Sequence, residues 1–111
     1  MADDLPLRAA QLLTLPSAAR RLADIIAVAD HPLSYDLVRH LLRVSEEDMA
    51  ETLQETIHAG LVRRADDPFS YVPATDAIGS EIREAMAPER AERLRRQIAG
   101  AAERVHEERD G

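Results

Sequence analysis

The apolar positions of the chain form short helical stripes, interrupted once by a stretch of different period. Leu5, Ala9, Leu12 and Leu13 make the first stripe, with Asp4 placed to cap it and Pro6 tolerated in its first turn. Leu15-Pro16-Ser17 breaks the pattern and opens a second helix. There Leu22, Ile25, Ile26 and Ala29 keep the i, i+3, i+4, i+7 spacing of a buried face, and Asp30-His31-Pro32 ends it. Ser34 is placed to cap a third, short helix with Leu37, Val38, Leu41 and Leu42 inward. Only Arg43 and Val44 separate it from Ser45, which caps a fourth helix from about Glu46 to Ala59. Asp48 stands where a capping box wants an acid, Met49, Leu53 and Ile57 are expected to line the inner face, and Gly60 supplies the stop.

The period then changes. Leu61 to Ala65 and Phe69 to Val72 alternate as strands do, separated by the turn cluster Asp66-Asp67-Pro68. Pro73 stops the second strand, and Thr75 caps a fifth helix with Ile78, Ile82, Ala85 and Met86 inward. Pro88 starts the last helix, where Ala91, Leu94, Ile98, Ala101 or Ala102, and Val105 repeat at threes and fours. Two short helices with so little between them must turn sharply, as a helix-turn-helix does. The expected class is mainly α with a small β-hairpin: a winged helix-turn-helix with additional N- and C-terminal helices. Residues 1–87 form the winged-helix domain with its N-terminal helix. Residues 88–111 form a C-terminal helix that packs on the domain or mediates dimerisation.

Composition narrows the chemistry. The 111 residues are 45% hydrophobic and 32% charged, enough for a core, but only 3% aromatic: Tyr35, Phe69 and Tyr71. The core must therefore be aliphatic. No cysteine is present, which excludes disulfides, thiolate metal sites and a thiol nucleophile. His31, His40, His58 and His106 form no i, i+4 pair or other metal spacing. Ser17, Ser34 and Ser45 look like caps, and no serine has a nucleophile-elbow context. Nothing resembles a phosphate-binding GxxxxGK[ST] loop. Neither an enzyme nor a cofactor is expected. The acidic start Met1-Ala2-Asp3-Asp4 is followed by no sustained apolar run, so a cytoplasmic location without membrane association is expected.

Charge decides what the fourth helix can do. A winged helix that reads DNA puts this helix into the major groove and the wing on flanking backbone. Here the helix carries Glu46, Glu47, Asp48, Glu51 and Glu55 and no cation, in a chain of net charge −7. Phosphates line both lips of the groove, so five carboxylates repel where several cations are needed. Acids in the first turn serve the helix dipole, which accounts for Glu46, Glu47 and Asp48 but less well for Glu51 and Glu55. Arg63 and Arg64 of the wing, with Gln54 and His58, are the residues left for a DNA-binding role; Arg63 and Arg64 are otherwise expected to pair with Asp66, Asp67 or nearby Glu.

Three stretches resemble the winged-helix domain that follows the nucleotide-binding core in bacterial STAND-type signalling ATPases, including large regulators of the LuxR class. They are Leu15 to Leu22, Val44 to Asp48 leading to Ala59-Gly60-Leu61-Val62, and Pro88 to Ala99. The resemblance implies a switch and docking element whose acidic helix does not read DNA. Pro73 occupies the place where that family often carries a histidine, and this chain has no nucleotide-binding core of its own, which implies a domain excerpt or a stand-alone relative. Phe69 to Ala74 also resembles the wing exit of small stand-alone winged-helix transcription regulators, which dimerise through a C-terminal helix.

The expectation is thus a non-catalytic interaction module in bacterial signalling or transcription control. It would bind a protein partner, or itself, through Glu51 and Glu55 and the seam of Leu94, Ile98 and Val105. The alternative is a dimeric DNA-binding regulator using Arg63, Arg64, Gln54 and His58.

Overall fold

Three hydroxyl side chains set where helices begin. Ser34 Oγ accepts the Leu37 N–H at 3.2 Å, Ser45 Oγ the Asp48 N–H at 3.1 Å, and Thr75 Oγ1 the Ile78 N–H at 3.1 Å. Each satisfies a first-turn donor that has no intrahelical partner. The computed structural model describes residues 15–29, 31–67 and 69–110, with side chains through Arg104. The expected helix around Leu5 to Leu13 lies outside the described residues. In order, the elements are α1 (Ser17–Val28), β1 (Leu33–Ser34), α2 (Tyr35–Leu42), α3 (Glu46–His58), β2 (Val62–Arg64), β3 (Ser70–Pro73), α4 (Asp76–Glu84) and α5 (Pro88–Asp110).

The protein is mainly α, with one small antiparallel sheet. The expected hairpin forms, with Arg63 opposite Val72 and Arg64 opposite Tyr71. A third strand, absent from the sequence reading, joins it: Leu33 pairs with Tyr71 and Ser34 with Ser70, giving the order β1-β3-β2. This arrangement is compatible with a winged helix. Asp67 shapes the hairpin turn, its carboxylate accepting the Phe69 N–H at 3.0 Å and the Ser70 hydroxyl at 3.2 Å.

Helix α1 is the centre of the core. Leu22, Ile25, Ile26 and Val28 are almost fully buried, and the helix touches all four other helices and β3. Asp24 is buried on it and accepts two hydrogen bonds from Arg90 at the start of α5, at 2.9 and 3.3 Å. Arg83 of α4 ties the other end of α1 by donating to the Ala27 carbonyl at 2.7 Å.

Helix α3 stops as Gly60 predicts. Gly60 sits at φ +77°, its N–H donates to the Ile57 carbonyl, and the Leu61 N–H reaches back to the Thr56 carbonyl. These paired bonds make a Schellman stop, in which a left-handed residue is required. Buried Leu61 then leads directly into β2.

Two expectations about inward faces need correction. On α3 the buried stripe is Met49, Thr52, Leu53 and Thr56, while Ile57 is 38% exposed. Each step of four residues overshoots one turn by about 40°, so the series 49, 53, 57 rotates out of the core. Thr56 fits instead because its hydroxyl donates to the Thr52 carbonyl. Ala85 is exposed because α4 ends at Glu84 and the helical period ends with it.

Two roles are open for α5 from the sequence, packing on the domain or mediating dimerisation. Leu94 and Ile98, with Ala91 and Ala101, are buried in the chain's own core, where α5 packs on α2 and α1. Within this chain the apolar seam of Leu94 and Ile98 is covered by α1 and α2. The side chain of Val105 lies outside the described residues.

Candidate functional site

With the α5 seam covered, the open apolar surface lies between α3 and the hairpin. Ile57 at 38% exposure and Phe69 at 74% are the exposed large apolar side chains among the described residues. The three aromatic residues gather here. Tyr35 and Tyr71 line a groove of about 480 Å³ together with Leu53, Gln54, Ile57 and His58. Phe69 stands at its edge through the backbone, its carbonyl accepting the Tyr35 N–H at 2.8 Å. Strand β1 produces this meeting, because pairing with β3 brings the start of α2 against the hairpin.

The site residues expected from sequence divide into separate groups. Gln54, His58 and Arg64 come together, all three lining the groove. Arg63 does not join them. Neighbouring strand residues point to opposite faces, and Arg63 lines a second depression with His31, Arg83 and Arg95. Its guanidinium donates to the Arg64 carbonyl at 3.0 Å. Among the described residues neither wing arginine forms the expected ion pair with Asp66 or Asp67; Asp67 is engaged in the turn.

Glu51 is exposed and Glu55 half-buried, and neither lines the groove. Helical rotation of about 100° per residue puts Glu47, Glu51 and Glu55 on the outward side of α3, next to the side carrying Ala50, Leu53 and Ile57. Glu46 alone of the helix acids is held by a cation, Arg39 of α2 at 3.3 Å, while Glu47, Asp48 and Glu51 are exposed without an ion pair. The groove itself is lined by apolar and aromatic side chains with Gln54, His58 and Arg64, and the acids of α3 lie on the adjoining outward side of the helix.

The groove was hard to foresee. Phe69 and Tyr71 read simply as strand residues, and Tyr35 as part of a first helical turn. Their meeting depends on β1, which is two residues long.

Among the described residues no group of three His, Asp or Glu side chains is placed to hold a metal ion, and no helix is long and apolar enough to cross a membrane. The chain matches no family model, no curated protein and no solved structure.

Proposed function

We propose that this chain is a non-catalytic winged-helix interaction module, of the kind used in bacterial signalling and transcription control. It binds a protein partner on the face between α3 and the hairpin. The observation that carries the reading is the groove lined by Tyr35, Leu53, Ile57 and Tyr71, which adjoins the acidic outward side of α3 and the exposed Phe69 of the hairpin turn. Grouped exposed apolar side chains beside polar walls mark interaction surfaces, whereas single ones do not. The complementary partner is a segment with an aliphatic or aromatic anchor for the groove and flanking Arg or Lys for Glu47 and Glu51.

Electrostatics disfavours DNA on the same face. Placing α3 in a major groove would bring Glu47, Asp48, Glu51 and Glu55, which have no ion pair among the described residues, against phosphate, with Arg64 as the one guanidinium lining the adjoining protein groove. The convergence of Gln54, His58 and Arg64 is the feature that favours the DNA reading, and one experiment separates the two. A photo-crosslinking amino acid at Ile57, introduced in cells, is expected to trap a discrete protein adduct that Glu47→Lys with Glu51→Lys abolishes. The same probe at exposed Glu92 of α5 gives no such adduct. Adducts with nucleic acid at Ile57, or identical adducts from both positions, would overturn the reading.

A further inference from the structure

A third concavity lies away from the hairpin, where α1, the end of α2 and the middle of α5 meet. Its volume is about 390 Å³, and its polar lining is Arg21, His40, Arg43, Gln97 and Arg104. Among the described residues no carboxylate lines it, although the chain has 21 acids against 14 arginines. Among the described residues Arg39, Arg90 and Arg96 are each paired with an acid, while Arg21, Arg43 and Arg104 have no such partner. Three guanidiniums from three elements thus line one concavity, and their like charges together favour an anion placed between them.

Two backbone features accompany the cluster. Arg43 has φ 56° and ψ 47°, the only non-glycine residue of positive φ among those described. The position after a helix favours glycine there, so an arginine accepts backbone strain at the groove's edge. Gly100 lies in the middle of the continuous helix α5, and a Cβ built on it meets nothing within 4 Å. Packing therefore gives no reason for a mid-helix glycine, whose absent side chain leaves the groove open.

We propose that this groove binds a small, multiply charged phosphorylated ligand through its phosphoryl oxygens. Guanidinium forks match such oxygens in pairs, and Gln97 adds an amide donor. The volume suits a small molecule. No aromatic side chain lines the groove to stack a base, so the phosphoryl groups are the recognised part. A polyanionic polymer would feel the whole molecule's charge of −7, whereas a small anion responds to charges within a screening length of about 8 Å.

The test uses calorimetric titration of the full chain at low salt with pyrophosphate, and separately with fructose 1,6-bisphosphate. Saturable one-to-one binding of either supports the site; pyrophosphate alone identifies a free inorganic ligand, and tighter binding of the bisphosphate an organic phosphate. Arg43→Gly is the decisive variant, because it removes the cation and relieves the strained backbone. It is expected to weaken binding about tenfold or more while the melting temperature stays equal or rises. Gly100→Leu is expected to block the groove, and Arg96→Ala to leave binding unchanged. No binding of either anion, equal binding by Arg43→Gly, or equal losses with Arg96→Ala would overturn the proposal.

Discussion

Leu94→Ala separates a seam that closes the protein's own core from one that joins two copies. Leu94 is 4% exposed, on the stripe of α5 that rests on α2 and α1. Burying and then truncating a leucine costs about 2–5 kcal/mol, depending on how far the site can collapse. Helix α5 rests on the core along one stripe only and can settle toward the gap, which places the cost near the lower end, about 2–3 kcal/mol. For a domain of this size the urea dependence is roughly 1–1.5 kcal/mol per molar, so the unfolding midpoint should fall by about 2 M. The assay is urea unfolding followed by circular dichroism at two protein concentrations tenfold apart, with exposed Arg93→Ala as control, expected within about 0.5 kcal/mol of wild type. If the seam joined two copies, a tenfold dilution would cost the wild type about 1.4 kcal/mol, a midpoint shift near 1 M. A concentration-dependent midpoint, or a Leu94→Ala loss below about 0.5 kcal/mol, would refute the packing argument.

Three further substitutions test the fold's other joints. Arg90→Ala should destabilise by about 2 kcal/mol, more than Asp24→Ala, because it strands a buried carboxylate whereas the half-exposed guanidinium can turn to water; equal losses in thermal unfolding would contradict this. Met49→Ala should cost about 3 kcal/mol and Ile57→Ala under about 1 kcal/mol by the same measurement, the reverse of what an inward Ile57 requires. Gly100→Ala should raise stability by roughly 0.5–1 kcal/mol, since the added methyl meets nothing. Gly79→Ala should lower it, because the methyl would sit 3.1 and 3.2 Å from ring carbons of Pro73; equal gains at both glycines would show that Pro73 yields.

Local chemistry made much of the fold legible in advance. Ser34, Ser45 and Thr75 cap helices because their hydroxyls reach backbone donors three residues on, a property of adjacent sequence. Gly60 ends α3 for the equally local reason that it must adopt a positive φ. The misses depended on distance. Strand β1 exists only because Ser70 and Tyr71 lie beside it, and two residues carry no alternation to read. The apolar seam of α5 showed that a partner surface was needed and left open whether α1 and α2 or a second copy supplied it. Likewise, Arg63 and Arg64 looked like one basic pair until the strand turned them into different grooves.

Charge on α3 also bears on the proposed partner. Its outer acids sit beside the groove that Leu53, Ile57 and Tyr71 line, so salt and apolar contacts would act together. Reversing Glu47 and Glu51 should weaken partner binding with little change in stability, because both side chains are exposed.

Whether α3 is excluded from DNA is measured most directly by fluorescence anisotropy of labelled duplexes at about 50 mM salt, where phosphate attraction is strong. The signal should stay flat for wild type up to about 100 µM protein and rise once Glu47, Glu51 and Glu55 are all changed to Arg. A saturable, sequence-dependent rise with the wild-type chain, lost on Arg64→Ala with Gln54→Ala, would contradict the account.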